Sequence, residues 1–175
     1  VHHSLASSEY NTRRKQCADA VSIIQKSYPE VSALRDVSLS MLEEQRSNLS
    51  DTLYLRSKFV IEENQRVLDA VTALRKGDLS NLGALLYQSH AGLQDEYEVS
   101  CPEIDYLVDF TRDYPGVLGS RIMGGGFGGC SLNLIHKDAV SGLIDRLAPA
   151  YKQKFSKSLS WFLAKPSRGT SVSWI

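Results

Sequence analysis

Apolar residues recur three or four positions apart over most of this chain and alternate with polar ones in only a few short runs. The first spacing marks amphipathic helices, the second half-buried strands. Cys17, Val21 and Ile24 lie at helical spacing. Ser7 or Ser8 is the N-cap expected ahead of them, with Glu9 in the first turn against the positive end of the helix dipole. Tyr28-Pro29 closes this segment, and a short helical stretch around Leu39, Met41 and Leu42 lies between Val37 and Asn48. The longest helix is expected from about Asp51 to Lys76, with Leu53, Phe59, Val60, Val67, Leu68, Val71 and Leu74 as its apolar stripe. Glu62 and Arg66 form an i,i+4 pair on it, and Gly77 is its natural stop. Asp78 then caps a helix through Leu82, Leu85, Leu86 and His90, and Leu93 and Tyr97 extend that face. Pro102 opens another, carrying Ile104, Leu107, Val108 and Phe110.

Asp113-Tyr114-Pro115-Gly116 is turn chemistry. It delivers the chain to Val117-Leu118, then to a glycine stretch, then to the alternating run Ser131 to Ile135. Lys137-Asp138 opens a last helix with Val140, Leu143, Ile144 and Leu147, which Pro149 should end or bend. Ser158 to Leu163 is expected as a strand that helps Leu132, Leu134 and Trp161 back the helices, and the tail from Lys165 is expected to pack poorly. The fold class is α+β: one unit of 175 residues, a small antiparallel sheet packed with helices. Val1 to Leu5 has strand character but no sequence neighbour before it, so the chain reads as cut from something longer. An unpaired strand is a sticky edge, and self-association or disorder is expected there.

The glycine stretch, Ser120-Arg121-Ile122-Met123-Gly124-Gly125-Gly126-Phe127-Gly128-Gly129-Cys130, organises the rest. So dense a run between two strands must bend through positive φ or approach something closely, and at least one of its glycines is expected at φ > 0. Its N–H groups can face an anion directly, with Phe127 as a peg fixing the loop in the core. Three readings compete. One is a tight hairpin without ligand. The second is a dinucleotide fingerprint through Gly124, Gly126 and Gly129, weakened because a strand rather than a helix follows. The third is a loop lining a phosphate-bearing site. No Gly-Lys-Ser/Thr follows, so it is not a Walker A loop.

Charge and cysteine content narrow the classes. Twenty basic residues balance twenty acidic ones, which steers the chain away from nucleic acid and anionic membrane. Cys17, Cys101 and Cys130 are odd in number and far apart, as expected of reduced thiols in a cytoplasmic protein. No apolar run approaches membrane-spanning length. His2 and His3 point to opposite sides of a strand, His90 and His136 stand alone, and no metal site is assigned. Arg13-Arg14-Lys15 reads as a solvated helix face. Taken by itself, Tyr10 reads as a packed ring with a wet hydroxyl.

Six segments change that last reading. Ser7 to Arg14, Glu63-Asn64-Gln65-Arg66-Val67, Gly77-Asp78, Ser89-His90 to Leu93, Tyr97 to Asp105, and Met123 to Cys130 resemble, in order, the C-terminal half of the galactokinase family. Gly124 to Gly129 is similar to the third motif of the wider GHMP kinase superfamily, whereas Glu9-Tyr10 and Tyr97 to Asp105 are more specific to galactokinases. The resemblance implies the GHMP kinase C-terminal domain with a ferredoxin-like core. It also implies transfer of the γ-phosphoryl group of ATP to the anomeric hydroxyl of galactose, with magnesium. It places Tyr10 on the sugar and Gly124, Gly125, Gly126, Phe127, Gly128 and Gly129 along the active site near the transferred phosphate; Cys101 is structural. The family's sugar-selecting motif, nucleotide loop, catalytic aspartate and arginine all precede this segment. No catalytic residue is therefore assigned within it, ATP and Mg2+ are expected to be bound mainly by a missing N-terminal part, and the chain alone is expected to be inactive. A galactokinase-like sensor without turnover and an N-acetylgalactosamine kinase remain alternatives.

Overall fold

The structure is a computed structural model, and it describes residues 6–166 and 169–172. Val1 to Leu5, with His2 and His3, lie outside the described residues. Helix α1 spans Ala6–Ile24, so Ser7 and Ser8 fall inside it and not ahead of it, and it ends four residues before Tyr28. After a 3₁₀ turn at Leu34–Asp36, α2 spans Leu39–Glu44, capped by Ser38 on the Met41 N–H. Helix α3 spans Asp51–Lys76, with Ser50 as its cap and Gly77 at φ 68° as its stop. Helix α4 spans Leu79–Ala91, where the Asp78 carboxylate accepts from the Asn81 N–H. A single π turn, Gly92–Glu96, follows it. Helix α5 spans Pro102–Arg112, β1 Val117–Met123, β2 Cys130–Ile135 and α6 Val140–Phe155.

Two apolar centres hold these elements. One gathers Ala20 and Ile24 of α1 with Val31, Leu34, Val37 and Leu42. The other joins Ile104 and Val108 of α5, Ile122 of β1, and Leu143, Leu147 and Tyr151 of α6. Between the helices and the strands, α4 meets β1 backbone to backbone. A Cβ on Gly83 would lie 1.9 Å from the Leu118 carbonyl oxygen, and one on Gly119 would lie 2.3 Å from the Gly83 carbonyl oxygen. Two glycines facing each other are what allow a helix and a strand to approach that closely.

Strands β1 and β2 form an antiparallel pair with Ile122 opposite Ser131, Ser120 opposite Asn133 and Arg121 opposite Leu132. This register inverts the expected burial of β2. Ile122 and Ser120 are buried, so their partners Ser131 and Asn133 take the inner face and Leu132 faces out with Met123. The described residues contribute two strands to the sheet, and Ser158 to Leu163 is not a third. Only Leu159 of that run reaches the second core; Trp161, Phe162 and Leu163 are exposed. The described tail residues 165–166 and 169–172 are exposed as well.

Two further expectations change. The α3 stripe is buried at Phe59 and half-buried at Leu53 and Val60, but Val67, Leu68, Val71 and Leu74 are exposed, Leu68 at 60%. The chain folds against the first half of α3 and leaves that face of its second half uncovered. Pro149 does not end α6, which runs six residues beyond it. Proline removes one helical hydrogen bond, and burial of Tyr151 together with packing of Phe155 on Tyr106 at 5.5 Å secures the last turns. None of the described helices is long and apolar enough to cross a membrane.

Candidate active site

A single open cleft of about 1220 Å³ brings together Tyr10 of α1 and Gly124, Gly125, Gly126 and Phe127 of the glycine loop. These residues are more than a hundred positions apart in sequence. Tyr10 is 57% exposed and its side chain stands at the cleft, not in a core. Among the described residues the cleft is lined by Arg13, Arg14 and Arg35 and by no aspartate or glutamate. Gly128 and Gly129 complete the β1–β2 connection outside the cleft lining.

The loop takes the backbone shape that only glycine adopts without strain. Gly124, Gly126, Gly128 and Gly129 have φ of 94°, 86°, 127° and 89°. Phe127 shares the left-handed region at φ 59°. It is half-buried, lines the cleft and lies under Arg13, with the guanidinium carbon 5.7 Å from its ring centroid. It is therefore a wall of the cleft and not a peg in the core. Its N–H donates to the Val99 carbonyl at 2.6 Å. Strand β2 follows the loop directly, so the dinucleotide fingerprint lacks its helix.

Strand β1 is fixed just before the loop by two polar groups. His90 is fully buried, and its Nδ1 accepts from the Ile122 N–H at 3.2 Å. A backbone N–H can only donate, so the ring proton sits on Nε2, 3.4 Å from the Asp105 carboxylate. Burial holds the His90 pKa below its ordinary value against the opposing pull of Asp105. Beside it, Glu63 of α3 accepts from Arg121 at 3.0 Å, from Ser89 at 2.5 Å and from Arg66 at 2.8 Å. Burial raises its pKa, but the hydrogen bonds from Arg66 and Ser89 and the charge of Arg121 outweigh that and hold it below the usual value.

The basic run on α1 divides. Arg14 and Lys15 are exposed as expected, but Arg13 is only 9% exposed. It donates to the carbonyls of Tyr97 and Glu98 at 2.7 and 2.8 Å. The sequence carried a signal for this. Tyr10, Arg13, Cys17, Ala20 and Ile24 recur at alternating steps of three and four, which puts Arg13 on the inward stripe. Sequence reasoning also gave Glu63 and His90 no role, because their partners on β1 are distant in the chain. Cys17, Cys101 and Cys130 are free thiols, and burial raises that of Cys101. Among the described residues no group of histidine, cysteine and carboxylate side chains could hold a metal ion.

Relatives match nearly the whole chain. A family pattern described as GHMP kinases C terminal matches residues 70–153. A galactokinase of Thermotoga maritima is 41% identical over 169 residues, which are 97% of this chain and 46% of the relative. The human galactokinase is 38% identical over 98% of this chain and 42% of its own length. In structure, the Lactococcus lactis galactokinase complexed with galactose superposes with a TM-score of 0.83 at 30% identity, covering 90% of this chain and 41% of that one. The chain belongs to the galactokinase family of the GHMP kinases. It spans less than half the length of these relatives.

Proposed function

We propose that this chain is the C-terminal domain of an ATP-dependent galactokinase, which transfers the γ-phosphoryl group of ATP to the anomeric hydroxyl of D-galactose. The observation that carries this is the shared cleft. Tyr10 and the glycine loop, the two features the galactokinase resemblance assigns to the sugar and to the transferred phosphate, face the same space. In the reaction the sugar oxygen forms a bond to the γ-phosphorus, the bond from that phosphorus to the bridging oxygen of ADP breaks, and the hydroxyl proton passes to a base. Tyr10 orients the sugar through its hydroxyl. The backbone amides of Gly124, Gly125 and Gly126, the loop glycines that line the cleft, stabilise the charge on the phosphoryl oxygens, which is where phosphoryl-transfer enzymes gain most.

On this reading the labour is divided between two parts of the protein. The hydroxyl proton needs a base, and Mg2+ needs oxygen ligands such as carboxylates. Both are supplied by an N-terminal part of the protein, together with the principal ATP contacts, and the chain alone does not turn over. An ADP-release assay with galactose on the full-length protein and on this chain tests the proposal. Turnover is expected from the first and not from the second. Galactose binding without turnover by the full-length protein would make it a sensor, a preference for N-acetylgalactosamine would change the substrate, and turnover by the chain alone would overturn the division.

A further inference from the structure

Arg13 is the side chain through which α1 reaches both the turn at Glu96–Val99 and the glycine loop. Its Nε donates to the Tyr97 carbonyl, its Nη2 to the Glu98 carbonyl, and its guanidinium lies over the Phe127 ring. The two segments it bridges each hold a non-glycine residue in the left-handed region, Glu98 at φ 50° and Phe127 at φ 59°. Such conformations persist only where the surroundings impose them. Glu98 is held on two sides, by Arg13 on its carbonyl and by Arg56 of α3 on its carboxylate at 2.5 Å; Arg56 also donates to the Glu96 carbonyl. Val99 follows directly and accepts the Phe127 N–H at 2.6 Å. A Cβ on Gly126 would lie 2.5 Å from the same Val99 oxygen, so turn and loop touch backbone to backbone with no slack. A shift of the turn is therefore a shift of the loop.

We propose, on the galactokinase reading, that Arg13 is a positioning residue: it sets the placement of the glycine loop through the Glu96–Val99 turn and the face of Phe127. Lysine cannot replace it. A planar guanidinium meets two successive carbonyls and an aromatic face together, whereas an ammonium is a point charge. Full-length enzyme carrying Arg13→Lys tests this, alongside Glu98→Ala, whose side chain is 62% exposed and whose removal takes away the Arg56 contact on the other side of the turn. Two readouts are taken on each: hydrogen exchange of the 124–129 amides, and kcat and KM for galactose and ATP.

For Arg13→Lys the loop amides exchange faster, kcat falls by about tenfold to a hundredfold, and both KM values stay within roughly threefold. Glu98→Ala loosens the turn through its Arg56 contact and shifts the same quantities in the same direction by less; if Arg13→Lys does not fold, unchanged loop exchange in Glu98→Ala would show that the turn does not place the loop and overturn the proposal. A raised KM with unchanged loop exchange would make Arg13 a direct substrate ligand and overturn the proposal. A lower melting temperature with unchanged kcat per folded molecule and unchanged loop exchange would reduce it to a structural cation. If the parent enzyme shows no turnover, the galactokinase reading falls while loop exchange still decides whether Arg13 holds the loop.

Discussion

The N–H of Phe127 donates to the carbonyl of Val99 at 2.6 Å, joining the glycine loop to the turn after α4 across twenty-eight positions of sequence. A Cβ on Gly126 would lie 2.5 Å from the same oxygen, so both loop residues are fitted against one backbone atom. That contact separates glycines that the sequence presents as equivalent.

Gly126→Ala should destabilise the chain and Gly125→Ala should not. At Gly126 the φ of 86° alone costs about 1–2 kcal/mol for a residue with a Cβ, and the contact with Val99 adds to it. A Cβ on Gly125 meets nothing within 4 Å, and Gly125 is not among the positive-φ glycines, so its replacement should stay within about 0.5 kcal/mol. Urea unfolding of the two variants decides; equal midpoints would refute it.

Gly83→Ala should be worse than either. Its Cβ would sit 1.9 Å from the Leu118 carbonyl oxygen, and the obstacle is backbone, which cannot rotate away. Overpacking of this kind costs about 1–3 kcal/mol or more. It should also loosen β1 and with it the glycine loop, seen as faster hydrogen exchange over Val117–Met123. Unchanged exchange there would show that α4 does not hold the strand.

Tyr10→Phe should leave stability unchanged, because the residue is largely exposed. In the full-length enzyme it should raise the galactose KM by the loss of one hydrogen bond, about 0.5–1.5 kcal/mol, and leave the ATP KM alone. A raised ATP KM with an unchanged galactose KM would move Tyr10 off the sugar.

Acid should weaken the fold partly through His90. Its folded pKa lies below the ordinary 6.5, so as pH drops below that value the unfolded chain takes a proton that the folded one refuses. Stability is full above the unfolded pKa and declines as pH falls from there toward the folded pKa. Protonation would also remove the acceptor for the Ile122 N–H. His90→Gln should flatten the pH dependence of the urea midpoint in this window. An unchanged slope would mean that His90 does not carry it.

The sequence by itself determined most of the helices and much of their punctuation, though not the start of α1 or the end of α6. Asp51 to Lys76, the Gly77 stop, the Asp78 cap and the Pro102 start are all where local chemistry puts them, because caps, left-handed glycines and N-terminal prolines act within one turn of chain. It also marked the glycine loop and, through motif resemblance, Tyr10. Tertiary structure decided what those elements face. Leu132 is exposed and Ser131 half-buried because pairing with β1 sets the register, and no pattern within β2 contains that. Pro149 sits within a helix because contacts of Tyr151 and Phe155 outweigh one lost hydrogen bond. Arg13 is buried because two carbonyls some eighty-five residues away accept from it. Burial and partnership are properties of surfaces brought together from distant parts of the chain, and only folding brings them together.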